Sequence, residues 1–211
     1  MLARIRPDLR PARDPLELPA GAVVPASCDG YPEQAFRIGA SAWGIRLPTV
    51  DEAGDPDARV LILKGVDGSG WQFAGHCFSP KGHQLAVHPR AALTFYWPEH
   101  GRQVRLRGSV VPGSAEDNAA DFLGRSATAR AASLLSRQSQ YLSDPAERDH
   151  ALAKSLALIE QAPSLVDSAW TLYALAPAEV EFWQAARNRV HTRLRYERTA
   201  DGGWERFRLW S

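Results

Sequence analysis

The sequence predicts a mainly β protein with helices inserted in its middle, closed as a barrel or a sandwich. Three observations carry this. Short β-rich runs separated by Gly, Asp and Pro turns fill residues 43–112, a capped helical block follows at 114–162, and strand patterns resume from 169 to 210.

In order, residues 1–29 are Pro-rich and lack periodicity, which predicts a flexible arm; residues 30–211 then form a single domain. "YPEQAFRIGASAW" (31–43) holds one short helix and "WGIRLPTV" (43–50) a loosely alternating strand. After the turn "DEAGDPDA" (51–58), the apolar run "RVLILKGV" (59–66) reads as a strand buried on both faces. "DGSG" (67–70) turns the chain and "WQFAGHC" (71–77) returns as the second arm of a hairpin. "KGHQLAVHP" (81–89) is a short helix, "RAALTFYW" (90–97) a strand, and "RQVRLRGSVVP" (102–112) a strand with Val104, Leu106 and Val110 inward. The helices start at "SAEDNAADFLG" (114–124), with a Ser cap and acids in its first turn, and continue in "SATARAASLL" (126–135). "DPAERDHALAKSLALIEQA" (144–162) has Asp144 as cap and Pro145 at its first position. Strands are predicted at "AWTLYALAP" (169–177), "EVEFWQ" (179–184), "RVHTRLRYER" (189–198) and "WERFRLW" (204–210), with a hairpin turn at "ADGG" (200–203).

Composition excludes several classes. A net charge of +1 offers no field to gather nucleic acid or anionic membrane. No apolar run approaches the ~20 residues a bilayer span requires, and the N-terminal stretch shows no apolar signal core. Two cysteines, Cys28 and Cys77, make no disulfide framework, so free thiols and a cytoplasmic protein are expected. His76, His83, His88 and Cys77 lack the spacing of metal ligands, and no metal is expected. Nor is there a dinucleotide, P-loop, zincin or nucleophile-elbow motif.

The chemistry-bearing residues are mostly cationic. The chain has only three lysines, Lys64, Lys81 and Lys154, in an otherwise arginine-based sequence. Ser79 and Lys81 fall where a strand hands over to a helix, which is either an anion pocket or a solvated, Ser-capped turn. Arg59 and Lys64 are five apart, so a regular strand points them to opposite faces. Gln103, Arg105 and Arg107 line one face of an alternating strand. "SRQSQ" (136–140) is a polar knot that either binds a polar ring or caps helices. Arg189, His191 and Arg193 alternate beyond Trp183, which predicts one strand face that is either an anion site or an exposed cationic edge.

Taken in order, "RVLILKG", "S-x-KG" at Ser79–Gly82, "FYWPEHGRQVRLRG", "RQS" and "EFWQ" followed by Arg189, His191, Arg193 and "GGW" resemble the pyridoxamine phosphate oxidase family, from about residue 59 to the C-terminus. The resemblance implies an FMN-binding split β-barrel, homodimeric, with its flavin sites at the subunit interface. It implies that Arg59, Val60, Leu61, Lys64, Ser79, Lys81, Gln103, Gln138, Ser139, Trp183 and Arg193 contact FMN. It assigns Lys64, His76, Asp121, Arg125, Arg189 and His191 to the substrate end, with His191 and Arg189 catalytic. Histidine suits acid–base work because it ordinarily titrates near neutrality.

Departures from the family pattern bear on the reaction. Pro80 replaces an arginine, Ala74-Gly75 a Tyr-Thr pair, Asp121 a tyrosine and Ala129 a serine of the family's substrate-phosphate grip. An aspartate repels a phosphate dianion and alanine removes a donor. "F-A-x-H" ending at His76 and "SRQS" resemble the phenazine-biosynthesis branch instead. The expected function is an FMN-dependent oxidase of a secondary-metabolite pathway. It would pass a hydride from a reduced, carboxylated cyclic substrate to FMN and reduce O2 to H2O2. The alternatives are a pyridoxamine/pyridoxine 5′-phosphate oxidase and a non-catalytic flavin- or haem-binding module.

Overall fold

The computed structural model describes residues 44–211; the expected arm at 1–29 and the short helix within 31–43 lie outside the described residues. Strands β1 (Gly44–Val50), β2 (Pro56–Ile62), β3 (Gly65–Asp67), β4 (Gly70–His76), β5 (Arg90–Trp97), β6 (Arg102–Pro112) and β7 (Trp170–Gln184) form one antiparallel path in the order β2-β1-β5-β6-β7-β4-β3. Strands β8 (Thr192–Arg198) and β9 (Trp204–Leu209) extend it from β7.

The long strand β7 is the pivot. One edge pairs with β6 over 173–184, while the other edge pairs with β4 over 170–175 and with β8 over 179–184. The sheet therefore divides into two wings. The sequence suggested two strands here, broken at Pro177. Instead the register shifts opposite Arg107/Gly108, and Ala178 becomes the extra residue of a bulge. A bulge tolerates the missing proline N–H. It also brings Ala176 O so close that a Cβ on Gly108 would sit 1.9 Å from it.

Alternation fixes the core. Ile45, Leu47, Phe73, Leu93, Leu106, Leu175 and Val180 point inward from five strands and are essentially inaccessible. The reading of 59–66 as one strand buried on both faces is corrected. β2 stops at Ile62, and Val60 and Ile62 are each 67 % exposed in the protomer, because β2 is the sheet edge and has only β1 beside it. The hairpin at 67–70 is made by the short β3, not by β2.

The helices are α1 (Pro80–Val87), α2 (Ala115–Leu123), α3 (Ala127–Leu134) and α4 (Pro145–Gln161). Their starts follow the expected caps. Ser114 and Asp117 form a reciprocal capping box, Ser126 caps α3, and Asp144 accepts the Ala146 amide before Pro145-led α4. Arg130 pins this block to the loop after α4, donating to Pro163 O (2.6 Å) and Leu165 O (2.9 Å) beneath Phe122.

Candidate functional site

Three groups of the predicted residues come together. The first is the start of α1. Strand β4 ends at His76, and the chain enters the helix through Ser79, whose hydroxyl accepts the Gly82 amide. Pro80 occupies the first helical turn, where no N–H is needed. Lys81 folds back into the protein and is only 4 % exposed. Its Nζ donates to Ser79 Oγ (3.1 Å) and Gln138 Oε1 (3.2 Å), and no carboxylate among the described residues pairs with it. Burial and the nearby Arg59 charge lower its pKa to about 8. The space it fills exists because residue 75 is glycine: a Cβ there would lie 2.3 Å from Lys81 Cε. Arg59 enters from β2, donating to Leu47 O (3.0 Å), Thr49 and Gln84 Oε1 (3.1 Å) and pairing with exposed Asp57.

The second group lies at the break between β2 and β3. Lys64, just past the strand end, pairs with Asp121 Oδ1 of α2 at 2.8 Å. Asp121 Oδ2 accepts the Trp170 indole N–H at 2.8 Å. The Arg125 guanidinium stacks 3.8 Å from the Trp170 ring centroid and donates to Ser133. Burial lowers the Arg125 pKa, against the opposing pull of Asp121 and Asp167. His76 Nε2 sits 3.0 Å from Ser136 Oγ and 3.5 Å from Asp167 Oδ2. The knot at 136–140 thus touches both groups, through Ser136 to His76 and Gln138 to Lys81. Ser136 and Ser139 hold positive φ values of 53° and 67°, conformations that non-glycine residues seldom adopt.

The third group is a row across the second wing. Gln103 of β6, Trp183 of β7 and Arg193 of β8 are paired in register and so share one face. In the next row, Arg105, Glu181 and Arg195 are aligned the same way. Glu181 is 2 % exposed and accepts from Arg105 (2.7 Å), Arg193 (3.0 Å) and Arg195 (3.3 Å). Burial raises its pKa, but the hydrogen bonds from Arg105 and Arg193 outweigh this and hold it below the usual value.

Two expectations about this wing are corrected. Arg189, His191 and Arg193 do not alternate along one strand. β8 begins only at Thr192, and Arg189 sits in a turn with φ 64°, its amide bonded to Ala186 O. Nor does Arg193 require an outside anion to offset its charge, because Glu181 supplies one. His191 instead packs against Trp183, ring centroids 4.9 Å apart, and its Nδ1 accepts the Ala186 amide. On β2, Leu61 turns inward against the core and Val60 outward. The third group shares no hydrogen bond or ion pair with the α1 group among the described residues.

Sequence reasoning missed Glu181, Trp170, Asp167 and the role of Gly75. Only Glu181 carried a local signal, since it has the same parity as Trp183 on a strand flanked by arginine-rich neighbours.

A split antiparallel barrel with a buried ammonium at a helix start, unpaired by any carboxylate among the described residues, defines a β protein that offers an anion the donors of a helix N-terminus. Residues 45–184 match the model described as "Pyridoxamine 5′-phosphate oxidase", and 170–211 match "Pyridoxine 5′-phosphate oxidase C-terminal dimerisation region". The chain belongs to the pyridoxamine 5′-phosphate oxidase family, whose cofactor is FMN. It is 42 % identical over 172 residues to the pyridoxine/pyridoxamine 5′-phosphate oxidase of Hyphomonas neptunium, covering 79 % of this chain and 76 % of the relative. The same-named protein of Legionella pneumophila is 40 % identical over 152 residues, 72 % of this chain and 71 % of the relative. Among solved structures, PhzG from Burkholderia lata, in complex with tetrahydrophenazine-1-carboxylic acid, aligns with TM-score 0.76 and 32 % identity, covering 85 % of this chain and 87 % of that one.

Proposed function

We propose that the protein is an FMN-dependent oxidase that dehydrogenates a reduced, carboxylated cyclic substrate and works as a homodimer with flavin sites at the subunit interface. The observation that carries the FMN reading is Lys81: a buried ammonium over Gly75, beside a hydroxyl, an amide and the start of α1, and with no carboxylate partner among the described residues. This donor set fits a phosphate. Lys81, Ser79 and Arg59 would hold it, with Gln138 and Ser139 beside it. Gln103, Trp183 and Arg193 offer the ring a polar edge, a flat apolar face and a cation. That this row shares no hydrogen bond or ion pair with the α1 group among the described residues supports a site completed by the partner subunit. So do the outward Val60 and Ile62 on the edge strand, apolar surface a partner would cover.

When bound, FMN would supply the redox chemistry, accepting a hydride from substrate and returning two electrons to O2 as H2O2. The chain's own residues bind and orient. Lys64, Arg125 and Arg189 are the cations of the substrate end, and His191, steadied on Trp183, is the group placed to move a proton. The carboxylated substrate is supported by the PhzG likeness and by the loss of phosphate ligands at Asp121 and Ala129. A second reading, oxidation of pyridoxine or pyridoxamine 5′-phosphate, is favoured by the identity to proteins of that name.

The test is direct. The purified protein is expected to be yellow and to release peroxide with dihydroaromatic carboxylic acids. A protein that takes up no FMN defeats the oxidase reading; efficient pyridoxal phosphate formation selects the second.

A further inference from the structure

The two cations that a substrate phosphate would need are already engaged. Lys64 Nζ is 2.8 Å from Asp121 Oδ1, with both side chains substantially withdrawn from solvent. The other Asp121 oxygen takes the Trp170 indole N–H at 2.8 Å, so the carboxylate is fixed from two sides. Trp170 in turn carries the Arg125 guanidinium on its face, and Asp121 and Asp167 both act on that charge. Two cations thus face two carboxylates, and the local charge is balanced before any ligand arrives. A dianion entering here must displace Asp121 from Lys64 and then lie beside it, which like-charge repulsion opposes. A monocarboxylate carries half that charge and can be met by Arg125 alone, whose planar fork suits it.

We propose that Asp121 is the specificity-determining residue of the substrate end: by engaging Lys64 and Trp170 it admits a cyclic monocarboxylate and rejects a phosphate monoester. This rests on the oxidase reading above, which places the substrate beside Lys64 and Arg125.

The experiment uses the FMN-loaded protein and two matched, unreactive rings, 1-naphthoate and 1-naphthyl phosphate, with binding followed by the flavin absorbance at pH 8. Wild type is expected to bind the carboxylate at least as well as the phosphate. Asp121→Asn is expected to shift the ratio of dissociation constants by about tenfold or more toward the phosphate, the scale of one charge interaction in a partly buried site. Trp170→Phe keeps the ring under Arg125 but removes the indole donor, so it is expected to shift the ratio the same way by a smaller factor. This holds the test open if Asp121→Asn does not fold. A wild type that prefers the phosphate about tenfold, or an Asp121→Asn protein with the wild-type ratio, overturns the assignment while leaving a yellow, active oxidase intact. A protein that takes up no FMN overturns both.

Discussion

The start of α1 and the β2–β3 break both hold lysines in a chain with almost none, yet they treat them oppositely. Lys81 is buried and bonds only neutral oxygens, and the charge that acts on it is another cation, Arg59. Lys64 is more exposed and is locked to Asp121. A buried ammonium with no carboxylate beside it is costly to keep charged, and on the proposed reading a cofactor phosphate would offset that cost. The second is complete alone. The lesson is that counting cations does not locate an anion site; what matters is whether the fold has already answered each charge. The Glu181 cluster makes the same point, since three arginines there surround one buried carboxylate.

The sharpest way to break this contrast is one substitution made at both ends. Lys81→Met is expected to weaken FMN binding roughly hundredfold, on the ~1.5–3 kcal/mol of a charge-assisted hydrogen bond plus its Coulombic share. Lys64→Met is expected to change FMN affinity by less than about tenfold, because Asp121 already offsets that charge. Equilibrium dialysis of the stripped proteins against FMN measures both. Equal losses would erase the distinction between the two regions.

Next in size is Gly75→Ala. The new methyl meets the far end of the Lys81 side chain, which can swing away, and not rigid backbone. Fold stability is therefore expected to change little, within about 1 kcal/mol in denaturant melts. FMN affinity is expected to fall on the order of tenfold as the ammonium is displaced. A loss of stability with normal FMN binding would show that Gly75 serves packing and not the placement of Lys81.

The two ends were not equally legible from residues alone. The Ser79 and Ser114 caps, Asp144-Pro145 and the alternation of β6 are local signals, and they appear where periodicity and capping chemistry put them. The long β7 was hidden because Pro177 reads as a strand breaker; only the facing Gly108, 69 positions earlier in the chain (177 − 108), lets a bulge absorb it. Arg189 was misplaced because a left-handed turn at an arginine has no compositional mark. Family motifs pointed to Lys64, Lys81 and Arg193 alike. What separates them is their partners, Asp121, the glycine at 75 and Glu181, and each of these is distant in sequence or silent in pattern.

The last expected effect is also the most diagnostic, because pH should act with opposite signs on the stability of the empty protein and on its affinity for FMN. The Lys81 pKa is lowered from 10.5 to about 8 in the fold. Below that window folded and unfolded chains both carry the proton; within it only the unfolded chain does. The contribution of Lys81 to stability without flavin therefore rises as pH climbs from about 8 toward 10.5. A bound phosphate favours the ammonium and draws the proton back, so FMN affinity is expected to fall over the same range, by several-fold up to about tenfold per pH unit. Melting curves and FMN titrations between pH 7 and pH 9.5 read the two trends side by side, with Lys81→Met as the control that should flatten both. If FMN affinity holds constant through that range while the wild-type fold stays intact, the Lys81 ammonium is not what receives the phosphate.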